Sequence, residues 1–425
     1  MKKLPSYPPE KKAMKARQQQ QVSAKQESTA WKVLKTRNEP YLYPWSGPIP
    51  VISTRGSPYE LGREHGEKCK ERISKTVADT WNGLVKYLGC NKEDIVGDLE
   101  VYSEKIRECH PSFVREMEGV ASGAGVNYDD IVLLNSQINI LHERGGLKGL
   151  ESLLCSSFGS WGSGTKDGNL IMGHNDDGVR FTDQFLVLLD AKPSEGYRFA
   201  TPIMPGYLGY HTVANESGFC AVGNALENGP KQEAIKKGVP MWTIFRYLAQ
   251  FVDNVDDGVE FIRKSDNGIA GSFLLGDRSG KFALIHLTPN SIDVVRPRSK
   301  DRYLAMTNHS LTDGVKKDLV LRQNPSSTYY RYQGLTRAIK QNLGSIDSCS
   351  AMKIMSTHYD ASTGKEENPS GNTPCRHYEY ESRFAGTCRS AVIEFGKRGL
   401  KMYVALGNPC TASWVELGMK YRPAA

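Results

Sequence analysis

Residues 154–177 read LCSSFGSWGSGTKDGNLIMGHNDD. Within them SSFGSW and NLIMGHN flank the turn Thr165-Lys166-Asp167-Gly168, which reads as an antiparallel hairpin. A cysteine, Cys155, stands at its head although it lies deep inside the chain. A structural cysteine normally sits in an apolar strand. Cys155 instead opens a segment of small hydroxyl residues, Ser156, Ser157 and Ser160. That setting suits a nucleophile that becomes a chain terminus. If the thiol attacks the preceding carbonyl, an N–S acyl shift gives a thioester, and water releases a free α-amine beside the thiol. An amine with an ordinary pKa of about 7.7–8.0 can take the thiol proton near neutral pH. A purely structural role for a lone cysteine stays open on these residues alone.

The texture of the chain changes at this point. Upstream the period is helical. Ser57-Pro58-Tyr59-Glu60 is a capping box with Pro at the first helical position, and Leu61, Ile73, Val77, Trp81, Leu84 and Leu88 follow at helical spacing. Residues 92–109, 111–122 and 128–142 read as three more helices. Downstream the period shifts toward two. YHTVAN/FCAVGNAL, FLLGD/FALIHL and AVIEF/KMYVAL each flank a glycine turn and read as further hairpins, with strands over 183–190 and 291–297. Helices are expected over 240–252, 256–264, 327–343 and 350–356. Gly168 and Gly218 fit positive-φ turn positions. Residues 360–385, polar and rich in Gly, Pro and Asn, read as a long surface loop near the site. The class is α+β, with helices on the faces of antiparallel sheets.

The totals exclude several functions. Among 425 residues no apolar run is long enough to span a bilayer. The first residues, MKKLPSYPPEKKAMKARQQQQ, lack the apolar core of a secretory signal, so a cytoplasmic protein is expected. Residues 1–40 carry ten Lys/Arg and three Glu, seven of the net +8, and read as a basic, disordered tail. The remaining body is nearly neutral and offers no basic stripe for nucleic acid. Nine cysteines without a C-x-x-C pair argue against a disulfide framework and a zinc ribbon. No metal and no cofactor is expected.

Several fragments in a fixed order carry a resemblance. They are Gly56-Ser57-Pro58-Tyr59-Glu60-Leu61-Gly62 with His65-Gly66, EMEGVASGAGVNYDDIVLLN from Glu116 to Asn135, and CSSF at 155–158. Then come Gly173-His174-Asn175-Asp176-Asp177, Asn215-Glu216-Ser217-Gly218, Gly223-Asn224-Ala225-Leu226 and Thr307-Asn308-His309. Cys375-Arg376-His377 and Gly407-Asn408-Pro409-Cys410 complete the series. Together they resemble the acyl-coenzyme A:6-aminopenicillanic acid acyltransferase family, the cysteine branch of the N-terminal-nucleophile (Ntn) hydrolases. The resemblance implies a four-layer αββα sandwich with two stacked antiparallel sheets. It divides the chain into the tail, a helical portion 41–154 and an Ntn portion 155–425 that fold as one unit.

The resemblance also implies roles. Cys155 matches the nucleophile, Asp177 the carboxylate that holds its amine, Asn224 an oxyanion-hole amide and Arg376 a cation near the thiolate. Ser156, His174, Asn175, Asn308 and His309 are weaker, substrate-side candidates. Two residues depart from the family pattern. Leu154 stands where the family has Gly before the cysteine, which bears on self-cleavage. His174 stands in place of an arginine, which removes a fixed cation and puts there a group able to titrate near neutral pH. The implied function is a self-processing amidohydrolase or acyltransferase acting on a small acyl amide or acyl-coenzyme A, working as an α/β heterodimer of its own fragments. Two alternatives remain: an uncut, inactive binding or scaffold protein, and an ester or phospholipid hydrolase on the same scaffold.

Overall fold

The computed structural model describes residues 48–145, 154–179, 186–226, 229–320, 326–366, 370–377 and 385–422. The basic tail expected over 1–40 lies outside the described residues. Strand β1 (Val51–Gly56) leads into helix α1 (Pro58–Lys68). The capping box is made as expected: Ser57 Oγ accepts from the Glu60 N–H, and the Ser57 N–H donates to Glu60 Oε2 at 2.7 Å. The helical pattern that follows is one run in sequence but two helices in space. Cys69 leaves helical geometry with φ −119°, and α2 (Lys70–Leu88) starts after it. Helices α3 (Glu93–Cys109), α4 (Pro111–Ala124) and α5 (Tyr128–Glu143) complete the helical portion. α1 and α4 cross in close contact because glycines face each other. A Cβ on Gly62 would sit 1.9 Å from the Glu116 carbonyl oxygen, and one on Gly119 would sit 2.2 Å from that of Tyr59.

The strands follow. They are β2 (Leu154–Gly162), β3 (Gly168–Val179), β4 (Val187–Pro193), β5 (Phe199–Ile203), β6 (Thr212–Asn215) and β7 (Phe219–Ala225). Helices α6 (Met241–Phe251) and α7 (Val255–Lys264) precede β8 (Gly271–Asp277), β9 (Phe282–Leu287), β10 (Ile292–Val295) and β11 (Tyr303–Met306). Next come α8 (Ser327–Asn342), α9 (Ser348–Met355) and the short pair β12 (Tyr359–Asp360) and β13 (Lys365–Glu366). β14 (Ala385–Phe395), β15 (Gly399–Leu406) and β16 (Trp414–Lys420) close the chain. All four expected hairpins form, β2/β3, β6/β7, β8/β9 and β14/β15. The turn glycines Gly168 and Gly218 have φ of 75° and 87°, the region that favours glycine.

Among the described residues two large sheets form. One runs β1-β4-β5-β6-β7-β8-β9-β10 and the other β11-β2-β3-β14-β15-β16. β2 and β3 pack onto β7 and β8, so the sheets stack face to face. α6 and α7 cover the outer face of the first sheet, and α8 and α9 cover the second. This is the αββα order of layers. The pairing is antiparallel except at one edge, where β1 runs parallel to β4, an element the sequence pattern does not mark. Gly159 of β2 brings the sheets together, since a Cβ there would lie 2.2 Å from Phe282 Cε1. Residues 43–425 make one compact unit.

Candidate active site

Alternation along β2 decides which way Cys155 points. Phe158 packs under α8 and α9, whereas Ser157 reaches Asn224 of the opposite sheet and Gly159 meets Phe282. Cys155 shares the parity of 157 and 159, so its side chain lies between the sheets. The register of the hairpin puts Cys155 opposite Asp176 and Leu154 opposite Asp177. Asp176 therefore faces the thiol, and its Oδ1 stands 3.7 Å from Cys155 Sγ. Asp177, one residue on, turns to the helix side of the sheet.

The main chain of Cys155 is clamped from that helix side. Its N–H donates to Asn308 Oδ1 at 2.8 Å, and its carbonyl accepts from Arg331 Nη1 at 2.5 Å. Arg331 also donates to Ser156 Oγ at 3.0 Å and to Asn308 Oδ1 at 2.7 Å. α8 supplies this grip from its first turns. Thr328 and Arg331, three apart, share a buried face, and Thr328 Oγ1 accepts from the Asn308 N–H at 2.7 Å.

Three buried guanidiniums attend two carboxylates. Arg389 Nη2 donates to Asp176 Oδ2, while Arg376 Nη1 and Arg331 Nη1 stand 3.6 Å and 4.0 Å from Asp177 Oδ2. Thr387 Oγ1 donates to Asp177 Oδ1 at 2.7 Å. Burial pushes Asp177 up to about 6 despite the two arginines and the threonine. Burial, with Asp176 and Asp177 beside it, raises the Cys155 thiol well above its ordinary range; Arg331 and the Asp177 N–H act against this. Cys155 is only 3% exposed and Leu154 5%. In the uncut chain the sulfur is thus sealed and protonated, but in a polar, charged enclosure rather than a greasy one.

The other expected residues fall in different places. Asn224 Nδ2 donates to the backbone carbonyls of Met306 (3.3 Å) and Thr307 (3.0 Å), and its Oδ1 accepts from Ser157. Asn224 is thus engaged with the backbone at the end of β11 and with Ser157. Asn175 donates to the Met355 and Pro374 carbonyls, stapling β3 to α9 and to the segment before Cys375. His309 stacks on Tyr329, and Thr328 Oγ1 lies 3.0 Å from its Nδ1. His174 lies between the sheets, its Nδ1 2.6 Å from Thr212 Oγ1. The titration near neutral pH expected of His174 is corrected by this placement: burial, with His211 nearby, holds it well below 6.5, so it is a neutral group. The fixed cation that His174 cannot supply is present as Arg389 on Asp176. The surface loop expected over 360–385 is corrected in part: among its described residues 362–366 are exposed, whereas Asp360, Thr373, Cys375, Arg376 and His377 are buried.

Asp176, Arg331 and Arg389 are the residues that sequence reading passed over. Asp176 is visible in the H-N-D-D string, and strand parity opposite Cys155 singles it out over Asp177. Arg331 and Arg389 sit in no local motif.

Residues 163–409 match the profile of the acyl-coenzyme A:6-aminopenicillanic acid acyl-transferase family. The chain belongs to this family. The match contains Asp176, Asp177, Asn308, Arg331, Arg376 and Arg389, and it begins eight residues after Cys155. An uncharacterised protein of Archaeoglobus fulgidus is 25% identical over 348 residues, 70% of this chain and 56% of that one. Protein dcd1A of Dictyostelium discoideum is 22% identical over 248 residues, 51% and 53% of the two chains. The chain thus spans little more than half the length of these relatives. Penicillin V acylase from Agrobacterium tumefaciens superimposes with a TM-score of 0.40 at 14% identity, covering 62% of this chain and 86% of that one. A variant of conjugated bile acid hydrolase from Clostridium perfringens gives 0.38 at 12%, covering 63% and 97%.

Proposed function

We propose that this family member cuts itself between Leu154 and Cys155 and then works as an N-terminal-cysteine amidohydrolase or acyltransferase. The observation that carries the reading is the thiol of Cys155 facing Asp176 at 3.7 Å, with the residue's own N–H and carbonyl held by Asn308 and Arg331.

Before the cut no α-amine exists, so processing needs another base, and Asp176 fills that role. Its carboxylate takes the thiol proton. Sγ attacks the Leu154 carbonyl carbon, the peptide C–N bond breaks, and the Cys155 nitrogen leaves with a proton. Water then hydrolyses the thioester, giving a Leu154 carboxylate and a free Cys155 amine and thiol. Loss of the Leu154 linkage opens the enclosure on that side.

In turnover the Cys155 amine takes the thiol proton, and Sγ attacks the substrate carbonyl. The amine hands its proton to the leaving nitrogen, and the thioester acyl-enzyme is resolved by water or by an acceptor amine. Asn308 Oδ1 keeps its hold on the nitrogen of Cys155. Asn308 Nδ2 gives one hydrogen to the Ala225 carbonyl at 2.8 Å, which leaves a second for the oxyanion, the role first expected of Asn224. Asp177, with Arg376 and Arg331, sets the potential on the helix side of the new terminus.

Acyl-enzyme trapping tests this reading. The processed protein is quenched in acid during turnover of N-acyl amides and acyl-coenzyme A, then digested for mass spectrometry. An acyl mass on the peptide that begins at Cys155 supports it; turnover undiminished in Cys155→Ala contradicts it. The sealed thiol favours one other reading, an uncut scaffold in which Leu154 stays in place, and no acyl mass on Cys155 would be its signature.

A further inference from the structure

A second cluster of reactive side chains lies apart from the thiol of Cys155. His358 follows α9, Cys375 and His377 flank Arg376, and Cys410 follows β15. One ligand atom from each of the four lies within 4.8 Å of every other. Cys375 Sγ and Cys410 Sγ are 3.7 Å apart, and His377 Nε2 is 3.1 Å from Cys410 Sγ. The rings of His358 and His377 meet edge to face at 5.0 Å.

Tetrahedral geometry gives these spacings a meaning. With Zn–S of about 2.3 Å, two thiolates on one ion stand about 3.8 Å apart, and with Zn–N of about 2.0–2.1 Å a sulfur–nitrogen edge is about 3.6 Å. The sulfur pair is at that separation, and the His377 nitrogen lies within about half an ångström of it. Two thiolates and two imidazoles form a soft, borderline donor set that suits zinc and offers nothing to magnesium or calcium. A Cys375–Cys410 disulfide would also bring the sulfurs together, but it gives no reason for two imidazoles to converge on them.

We propose that His358, Cys375, His377 and Cys410 bind one zinc ion in a closed, structural Cys2His2 site. All four positions of the ion are filled by protein, which leaves none for substrate or water, so the site is not a second catalytic centre. Cys410 is solvent-accessible and gives the ion its way in.

The ion joins three segments distant in sequence, and its consequence for the active site is Arg376. That residue is held between two ligands while its carbonyl accepts from Asn408 Nδ2 at 2.6 Å and the Thr387 N–H at 2.8 Å. Its guanidinium is thereby fixed 3.6 Å from Asp177. The ligand spacing hides the site in sequence: only C-x-H is local, and the other two ligands come from 17 residues before Cys375 and 33 after His377.

Metal content tests the proposal, and reading it in the full-length Cys155→Ala chain keeps the result independent of processing. The protein is prepared under reducing conditions, without chelators and without a histidine tag. Elemental analysis should find about one zinc per chain, falling roughly tenfold or more in Cys375→Ser and Cys410→Ser. Chelator-treated protein given Co2+ should show thiolate-to-cobalt charge transfer and intense tetrahedral d–d bands, absent from the same two variants. His358→Ala, at the half-buried edge of the cluster, should weaken both signals with the fold retained by circular dichroism. Chains that neither carry zinc nor give a tetrahedral cobalt spectrum overturn the proposal. So does full zinc occupancy in both serine variants, or a Cys375–Cys410 disulfide in reduced protein that takes up neither metal.

Discussion

Asp176 and Asp177 are neighbours in sequence, yet the strand sends them to opposite faces of one sheet, and their chemistry divides accordingly. Asp176 meets the thiol and is assigned the first proton. Asp176→Asn should slow processing by about 10²–10⁴-fold, the usual worth of a general base, without unfolding the chain. Quantifying uncut chain against time after synthesis checks this, and processing at the native rate would remove Asp176 from the mechanism. Asp177 carries a pH dependence. Its folded pKa is raised from 3.8 to about 6, so its contribution to stability is full below pH 3.8 and lost as pH rises through about 6. In the Cys155→Ala chain, thermal unfolding should therefore show stability falling across that window. Adding Asp177→Asn to that chain should flatten the slope, and Asp177→Asn alone, in a chain that keeps Cys155, should abolish turnover in the processed form. An unchanged slope would mean that the carboxylate is not held in this raised state.

Elements show how much of this arrangement is legible in sequence. The hairpins were readable because each pairs a period of two with a glycine turn, and the helices because the apolar spacing and the Ser57 capping box agree. β1 and β11 were not, since four to six residues without a turn signal carry no pattern that only a strand would need. The nucleophile proposed here is legible from Cys155 and its serines. Its clamp was not, because Arg331 and Asn308 act only once α8 and the end of β11 meet β2 in space. The α1–α4 crossing gives a prediction at this scale. Alanine is the better helix former by about 1 kcal/mol, yet Gly119→Ala should lower the melting temperature because its Cβ would meet the Tyr59 carbonyl. Overpacking of this kind costs about 1–3 kcal/mol or more. A higher melting temperature would show that the two backbones do not approach as described.

Cleavage at Leu154 would make two fragments of a molecule already laced together across the cut. β1 of the helical portion pairs with β4, and Asn135 Nδ2 and Oδ1 bond the Gly206 carbonyl and the Leu208 N–H. Arg246 and Glu116 form a buried ion pair at 2.6 Å. The fragments should co-elute and give one mass in native mass spectrometry, separating only in denaturant. Glu116→Ala leaves Arg246 buried without its partner and should cost about 3–5 kcal/mol, seen as a lower urea midpoint. Fragments that part in native buffer would contradict this packing.

Self-processing itself is read on a denaturing gel followed by N-terminal sequencing of the purified full-length chain beside Cys155→Ala. Native protein should give chains of 154 and 271 residues, the larger beginning Cys-Ser-Ser-Phe, and Cys155→Ala a single chain of 425. A native chain that stays whole while cleaving amides, or a Cys155→Ala chain that is cut at the same bond, would contradict the assignment of Cys155 as a nucleophile released by its own attack.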